Sequence, residues 1–280
     1  MQKGARSEVA RIVDHEYEVG SVTIFRRSGY VMIRLSLVLA VGIAGSAPAA
    51  EPARPLVFVV DGAGDLKGCS TALALTNADE GCPVELTVFP WSHGHRRLLL
   101  DQFDHKHAKE KGAALAEKLA ETRRLDPQRR LVVVAHSAGC AVALAACSAL
   151  PCDAVDRVVL LAPSVSKDYD VRPALKAARE GFDVYCSERD WIALGLVLRV
   201  VRTTDRLRSA AAAGRYGFQP KALAEEESPR LRNHFWSPDL AWTGHNGRHH
   251  GMHAPLFLKT YLFPLFSDRD VALRGVKGAP

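Results

Sequence analysis

Residues 131–140, which read LVVVAHSAGC, decide the fold of this 280-residue chain. The run from Leu131 to Ala135 is apolar and is typical of a buried strand, whereas the small residues from Ala138 onward predict a helix that packs closely against it. Ser137 lies at the corner between the two elements. A serine at such a corner either caps the helix or stands on a sharp turn as an exposed nucleophile.

The five residues around Ser137 are similar to the GxSxG motif of a nucleophile elbow, in which small flanking residues let strand and helix approach each other. The sequence here is AHSAG, so that Ala135 adds one methyl group at the first glycine position. A serine hydroxyl is a weak nucleophile and requires a base that is itself oriented by an acid. The nucleophile hypothesis therefore requires an acid and then a histidine after later strands.

An acid follows the predicted strand Phe182–Cys186, whose sequence is FDVYC. Asp190 lies where a carboxylate at the carboxyl end of a parallel strand points into a site. Glu188 is the alternative acid, and a helix N-cap is the alternative role for Asp190. The order serine, aspartate, histidine along the chain favours Asp190 as the acid of a triad.

The base is expected in the segment TGHNGRHHGMH, residues 243–253, which precedes the last predicted helix. We select His249, because glycines on both sides of the pair His249 and His250 leave a loop tip that can present an imidazole. His245 and His250 are the alternatives.

Metal binding is a competing interpretation of the same loop, since His245 and His249, and again His249 and His253, are four residues apart. Gly247 and Gly251 disfavour the rigid helix that this spacing requires, and no carboxylate lies inside the loop. The sequence therefore assigns no metal ligand, and we expect no cofactor.

The stretch VVDGAGD, residues 59–65, follows the first predicted strand and offers glycine-rich backbone at the edge of the site. Developing negative charge on a carbonyl oxygen needs preorganised N–H donors. We expect Ala63, or its neighbour Gly62, to supply one donor and Ala138 the other. The dinucleotide motif GxGxxG fails here because Lys67 stands at its third glycine position.

Short apolar runs alternate with helical patterns over the rest of the chain, which predicts an α/β fold: a mostly parallel sheet with helices on both faces. The polar insertion 202–230 is too poor in large apolar residues for a core of its own, so at most a minimal cap is expected. The predicted strands are Leu56–Val60, Val84–Phe89, Leu131–Ala135, Val158–Leu161 and Phe182–Cys186; the predicted helices are 103–124, 138–150, 172–180, 191–201 and one that begins near Pro255.

Residues 32–50 have a basic residue near their start, a short apolar run and small residues spaced for cleavage, which indicates a secretory signal peptide. We therefore expect an exported protein, periplasmic or secreted, with the folded domain in residues 51–280. A retained membrane anchor is the alternative, disfavoured by the shortness of the apolar run. Residues 1–31 are a doubtful extension in front of this signal, and we expect translation to begin at Met32. The alternative is one long signal peptide with Arg26 and Arg27 in its basic region.

Composition excludes some classes of partner. The net charge of +6 is mild, and the basic residues interleave with acidic ones along predicted helices, so that nucleic-acid binding is not expected. Six cysteines in an exported chain permit disulfides, of which Cys69 with Cys82 would close a surface loop. Cys140 and Cys147 are expected to be buried as small apolar residues.

From residue 55 to residue 266, the chain resembles the α/β-hydrolase superfamily, and within it bacterial lipase- or esterase-like members. The motifs that carry the resemblance are DGAG, VVVAHSAG, YCSERDW and GHNGRHHG. The resemblance implies a triad of Ser137, Asp190 and His249 that cleaves a small-molecule or lipid-like ester through an acyl-enzyme. A non-catalytic binding protein on the same fold and a metal-dependent hydrolase that uses the histidine-rich loop remain alternatives. The sequence leaves the oligomeric state open.

Overall fold

The computed structural model describes residues 53–81, 83–190, 211–219 and 227–267. The extension 1–31, the predicted signal peptide 32–50, the predicted helix 191–201 and much of the insertion 202–230 lie outside these residues. None of the helices in the described part of the chain combines the length and the apolar composition that a bilayer-spanning helix needs.

Six parallel strands form one sheet among the described residues, in the order β2-β1-β3-β4-β5-β6. This confirms the predicted fold class, and each predicted strand is present within one residue at either end. The strands are β1 (Leu56–Val60), β2 (Glu85–Val88), β3 (Leu131–His136), β4 (Arg157–Leu161), β5 (Phe182–Cys186) and β6 (Leu231–Phe235).

The helices are α1 (Gly68–Asp79), α2 (Leu98–Phe103), α3 (His105–Leu125), α4 (Gly139–Ala149), α5 (Arg172–Leu175) and α6 (Ala213–Tyr216). The C-terminal helical segment consists of α7 (Pro255–Phe257), a π-helical turn (Leu258–Leu262) and α8 (Phe263–Phe266). Short 3-10 turns cover Ala63–Asp65, Ser228–Arg230, Pro238–Thr243 and Gly251–His253.

Two apolar cores lie on opposite faces of the sheet because successive side chains of a strand point to opposite faces. On one face, Val133 of β3 packs in a core with residues of α3 and α4 such as Leu115 and Leu144. On the other face, Val134 packs in a core with Leu73 of α1 and Phe257 of α7. Burial on both faces explains why β1 and β3 are continuous apolar runs, and it fixes the carboxyl ends of these strands as a rigid edge.

The predicted helix over residues 172–180 is wrong beyond its first turn. The α-helix ends at Leu175, and the chain then forms a parallel bridge between Ala178 and Val155. The backbone N–H of Arg179 also bonds to the carbonyl of Val155 at 2.9 Å. These bonds to a neighbouring segment replace the i to i−4 pattern and lead the chain into β5.

Cys69 is a free, buried thiol within α1, which overturns the proposed bridge to Cys82; Cys82 itself lies outside the described residues. Helix α1 places Cys69 against the core, whereas the prediction required an exposed loop. Cys140 and Cys147 are free and fully buried in α4, as expected. Burial raises the pKa of the Cys147 thiol to about 12, so that it remains protonated at neutral pH.

Strand β6 was not predicted from the sequence because its middle residues are polar. Arg232 lies beside Asp183 of β5 in the parallel register and bonds to its carboxylate at 2.9 Å. Arg157 and His234 contact the same buried carboxylate at 2.6 and 2.8 Å. Burial alone would raise the pKa of Asp183, but the hydrogen bonds from Arg232 and His234 and the positive charge of Arg157 outweigh burial and lower it well below its usual range.

We expect Asp183→Asn to reduce the free energy of unfolding at pH 7 by about 3–5 kcal/mol, because it removes the fully buried anion that pairs with two partly buried arginines, Arg157 and Arg232. Because the folded-state pKa is depressed, the stabilisation is present above the unfolded-state value of about 3.9 and is lost as the pH falls towards the folded value. Urea unfolding of both proteins at pH 7 and at pH 3 measures this difference, which should shrink at the lower pH.

The matched control is Asp170→Asn, which removes an exposed carboxylate that pairs with Arg172 at 2.7 Å. An exposed ion pair contributes at most about 1 kcal/mol. Equal losses of stability in the two variants at pH 7 would contradict the role of the buried network.

Candidate active site

Ser137 occupies the turn between β3 and α4 with a φ of +52°, in the left-handed region that non-glycine residues rarely adopt. Two backbone hydrogen bonds hold this turn: the N–H of Ser137 bonds to the carbonyl of Leu161 at 2.9 Å, and its carbonyl accepts the N–H of Ser164 at 3.3 Å. A Cβ atom on Gly139 would lie 2.3 Å from the carbonyl oxygen of Asp61. Gly139, at the second glycine position of the motif, is therefore required for the close approach of α4 to the end of β1, while Ala135 is accommodated in the buried strand.

The structure brings Ser137, His249 and Asp190 into one hydrogen-bonded chain. Nε2 of His249 lies 2.9 Å from Oγ of Ser137, and Nδ1 lies 2.6 Å from Oδ2 of Asp190. A carboxylate only accepts, so Nδ1 carries the proton and Nε2 accepts from the serine hydroxyl. Asp190 is almost fully buried and His249 is largely buried, which keeps water from competing for these bonds.

Contacts from two elements fix the position of the histidine-rich loop over the serine. Oγ of Ser187, just after β5, donates to the carbonyl of Gly247 at 2.5 Å. The indole N–H of Trp236, just after β6, donates to the carbonyl of His245 at 2.8 Å. The loop is therefore held by residues at the carboxyl ends of β5, which also leads to Asp190, and of β6.

The alternative bases, His245 and His250, and the alternative acid, Glu188, lie outside this hydrogen-bonded chain. His245 is buried, accepts the N–H of Gly247 at 3.2 Å through its own Nδ1, and packs edge-on against Phe257. Burial lowers the pKa of His245 to about 4. His250 contacts the ring of His249, and Glu188 is exposed. Among the hydrogen bonds of the described residues, none joins His245 or His250 to Ser137, and none joins the side chain of Glu188 to His249.

The loop after β1 also borders the serine. A Cβ atom on Gly62 would lie only 3.3 Å from Cβ of Ser137, so the Gly62–Ala63 backbone borders the nucleophile. Ala63 begins a 3-10 turn and Ala138 is the N-cap of α4. The first N–H groups of a helix have no acceptor within it. These two N–H groups are therefore available to a negative charge that develops beside Ser137.

Asp101 of α2 holds this loop and is a residue that the sequence analysis did not identify. Its buried carboxylate accepts the N–H of Gly64 at 2.6 Å, the N–H of His93 at 2.8 Å and the hydroxyl of Ser92 at 2.5 Å. Burial alone would raise the pKa of Asp101, but these hydrogen bonds outweigh burial and lower it. The ionised carboxylate thus fixes the backbone next to Ala63.

Three imidazoles form a cluster beside His249, in which Nε2 of His136 lies 3.3 Å from the backbone carbonyl of His249. His136, the buried residue before Ser137, lies with its ring centroid 4.5 Å from that of His253 and 5.6 Å from that of His250. One ring nitrogen of each lies within 4.8 Å of the others, so the described residues include one group suited to holding a metal ion. Burial, and then the neighbouring histidines, lower the pKa of His253 to about 4 and that of His136 well below its usual value.

A cavity of about 680 Å³ opens beside the base and the acid. Ser137 is not among its lining residues, so this space adjoins the triad on the side of His249 and Asp190. The lining residues are Arg189, Asp190, Gly244, Asn246, Arg248, His249, His250, Gly251, His253 and Ala254.

Comparison with solved structures finds similar bacterial and archaeal enzymes at low sequence identity. Lipase BlEst2 of Bacillus licheniformis in mature form is 15% identical, with a TM-score of 0.41, and the match covers 79% of this chain and 96% of that chain. Esterase Pf2001 of Pyrococcus furiosus is 13% identical, with a TM-score of 0.38 and coverage of 74% of this chain and 83% of that chain. The thermophilic esterase Est2 of Thermogutta terrifontis is 10% identical, with a TM-score of 0.38 and coverage of 74% of this chain and 76% of that chain. Similarities at this level say nothing about substrate. Comparison with curated protein sequences finds no match.

The family whose sequence profile matches this chain is described as alpha/beta hydrolase of unknown function (DUF900), and the match covers residues 56–225. That range contains β1 to β5, the turn at Ser137 and Asp190. The chain therefore belongs to this family of α/β hydrolases.

Proposed function

We propose that the protein is a serine hydrolase that cleaves carboxylic esters through a Ser-His-Asp triad and an acyl-enzyme. One observation carries the proposal: the imidazole of His249 bonds to both Oγ of Ser137 and Oδ2 of Asp190, at 2.9 and 2.6 Å. A nucleophile that contacts a base, which in turn contacts an orienting acid, is the arrangement that activates a serine hydroxyl.

In this mechanism, Oγ of Ser137 attacks the ester carbonyl carbon while its proton passes to Nε2 of His249. The N–H groups of Ala63 and Ala138 stabilise the oxyanion that forms. The intermediate collapses, and His249 returns the proton to the departing alcohol. Water then attacks the acyl-enzyme and gives its proton to His249, after which the carboxylic acid leaves and the proton returns to Ser137. Asp190 holds Nδ1 of His249 and stabilises the imidazolium in both halves of the reaction.

The surface next to this site favours an ester with an apolar acyl chain. Helix α2 exposes Leu98, Leu99, Leu100 and Phe103 to solvent. The same helix approaches the nucleophile turn, because Oε1 of Gln102 lies 3.4 Å from Oγ of Ser164, whose N–H bonds to the carbonyl of Ser137. Since contiguous exposed apolar residues mark binding surfaces, we propose that the acyl group lies against α2.

The experiment that tests the function uses nitrophenyl esters of increasing acyl length together with a fluorophosphonate reagent. We expect hydrolysis of esters, a higher kcat/KM for medium-chain esters than for the acetate, and covalent labelling that mass spectrometry maps to the peptide containing Ser137. Neither turnover nor label would indicate the non-catalytic binding protein. Turnover that a chelator abolishes, without any label, would indicate the metal-dependent hydrolase.

Asp101→Asn is expected to lower kcat by about 10- to 100-fold with little change in KM. The amide has one acceptor oxygen where the carboxylate has two, so it cannot accept the N–H groups of both Gly64 and His93, and the loop next to Ala63 would shift. Removal of an oxyanion donor lowers kcat by a factor of about 10²–10³, and displacement of a donor that is still present should lower kcat by a smaller factor. The steady-state parameters for one ester measure the effect, and the split between kcat and KM distinguishes misplacement of the donor from weaker substrate binding.

The control for Asp101 is Asp104→Asn, at the half-exposed N-cap of α3, where Asp104 accepts the N–H of His107 at 2.9 Å. Asparagine caps helices as well as aspartate does, so activity should stay at the wild-type level. If Asp101→Asn had wild-type kcat, or an unchanged kcat with a raised KM, the proposed positioning role would be refuted.

We also propose that the protein is exported, on the basis of the signal-like pattern in residues 32–50. Mass spectrometry of periplasmic and extracellular fractions should find a mature chain that lacks these residues. A chain that retains them in the cytoplasm would contradict export.

A further inference from the structure

We propose that His136, His250 and His253 form a binding site for a divalent transition-metal ion of the zinc class. The ion would connect the loop that carries His249 to the turn that carries Ser137. This site differs from the one suggested by the four-residue spacing in the loop, because it excludes His245 and His249 and includes a histidine from the end of β3.

The first support is the distance between the three rings. One nitrogen of each ring lies within 4.8 Å of the others. Zinc binds imidazole nitrogen at about 2.0–2.1 Å, which places two nitrogens of a tetrahedral site about 3.4 Å apart. Coordination would therefore require side-chain rotations that bring the ring nitrogens up to about 1.4 Å closer together. His250 contacts the rings of His136, His249 and His253, but as the exposed member of the cluster it has room to rotate on its solvent side.

The second support is an unsatisfied buried atom. Nε2 of His253 is buried and has no hydrogen-bond partner within the described part of the chain. Leaving a buried polar atom unpaired costs free energy, and coordination of a metal ion would satisfy it. Ion pairs with carboxylates occur at His93, His234 and His249 among the described residues, and at none of the three clustered rings.

The third support is the chemistry of the donors and the access to them. Neutral imidazole is a preferred ligand of zinc and of neighbouring transition metals, whereas Mg²⁺ and Ca²⁺ prefer oxygen. Three protein ligands leave a further coordination position to water. His250 and His253 both line the cavity of about 680 Å³ that opens beside the triad, which gives an ion a path from solvent.

Zinc binding to the full-length, chelator-treated protein tests the proposal by isothermal titration and by metal analysis after dialysis. We expect one zinc ion per chain, a rise in Tm of about 5 °C at saturating zinc, and no comparable effect of Mg²⁺. His250→Gln and His253→Gln should each weaken zinc affinity more than 100-fold, since loss of a direct ligand exceeds the 10- to 100-fold cost of losing an outer contact. Because His250 is exposed, its variant is expected to fold, and its Tm without metal should equal that of wild type.

Two control variants separate this site from other histidines. His95→Gln changes an exposed histidine outside the cluster and should bind zinc like the wild type. His249→Gln removes the proposed base but no proposed ligand, so it should lose ester hydrolysis and keep zinc binding. The proposal is overturned if the wild type binds no zinc, if His250→Gln binds zinc as tightly as wild type, or if His95→Gln or His249→Gln loses zinc to the same extent. Because zinc binding and its effect on Tm need no turnover, failure of the metal site and failure of the proposed hydrolase are distinguishable.

Discussion

Ser137→Ala is expected to lower kcat for ester hydrolysis by about four to six orders of magnitude and to abolish fluorophosphonate labelling. The variant removes the atom that would form the acyl-enzyme, and removal of a triad member leaves only the acceleration that comes from substrate binding and oxyanion stabilisation. Alanine and serine both have a Cβ atom and are similarly strained at a φ of +52°, so the substitution leaves the backbone strain of the turn unchanged. Initial rates with the best nitrophenyl ester, together with a gel-based label, measure both effects.

Ser148→Ala is the matched control, because Ser148 is an exposed serine of α4 whose hydroxyl bonds to the carbonyl of Leu144 within the same helix. This variant should keep wild-type rates and labelling. Labelling of Ser137→Ala as strong as that of wild type would remove Ser137 from the mechanism. A loss of activity of similar size in Ser148→Ala would attribute the effect to damage of α4.

Most of the sheet is predictable from the sequence because its strands are buried on both faces. The strands β1 and β3 are short, mainly apolar runs, β5 is apolar except for Asp183, and the small residues after Ser137 predict a helix that packs against the sheet. Strand β6 shows the limit of this approach. Its residues Arg232 and His234 are polar, and their partner is the buried Asp183 of another strand. Such a partner is not visible in a local pattern.

The candidate site likewise has a part that the sequence predicts and a part that depends on contacts between distant segments. The chain order predicts the segment that supplies the base, but the choice among its histidines depends on Ser187 and Trp236, which hold the loop from two other strands. The cluster of His136 with His250 and His253 was not predictable because its members lie on segments far apart in sequence. Asp101 was missed for a related reason: a carboxylate in LLLDQF has no local sign of contact with the β1 loop.

Asp190→Asn is expected to lower kcat by about 10⁴-fold while the fold stays intact. The amide is nearly isosteric with the carboxylate, but its NH₂ group can donate to Nδ1 of His249 and thereby place the imidazole proton on Nε2. That tautomer cannot accept the proton of Ser137, and the imidazolium would also lose its anionic partner; in the corresponding serine protease variant these effects cost about 10⁴ in kcat. The measurement is kcat for the same ester, with urea unfolding as the test of folding.

The control for Asp190 is the neighbouring acid. Glu188→Gln changes an exposed carboxylate that the sequence left as the alternative, and its activity should equal that of wild type because its backbone carbonyl, rather than its side chain, makes its described contact with Arg215. Loss of activity in Glu188→Gln with retention in Asp190→Asn would transfer the role of acid to Glu188. Near-wild-type activity in both single variants would mean that His249 works without a carboxylate partner. That result would refute the proposal that the 2.6 Å contact between His249 and Asp190 is required for catalysis.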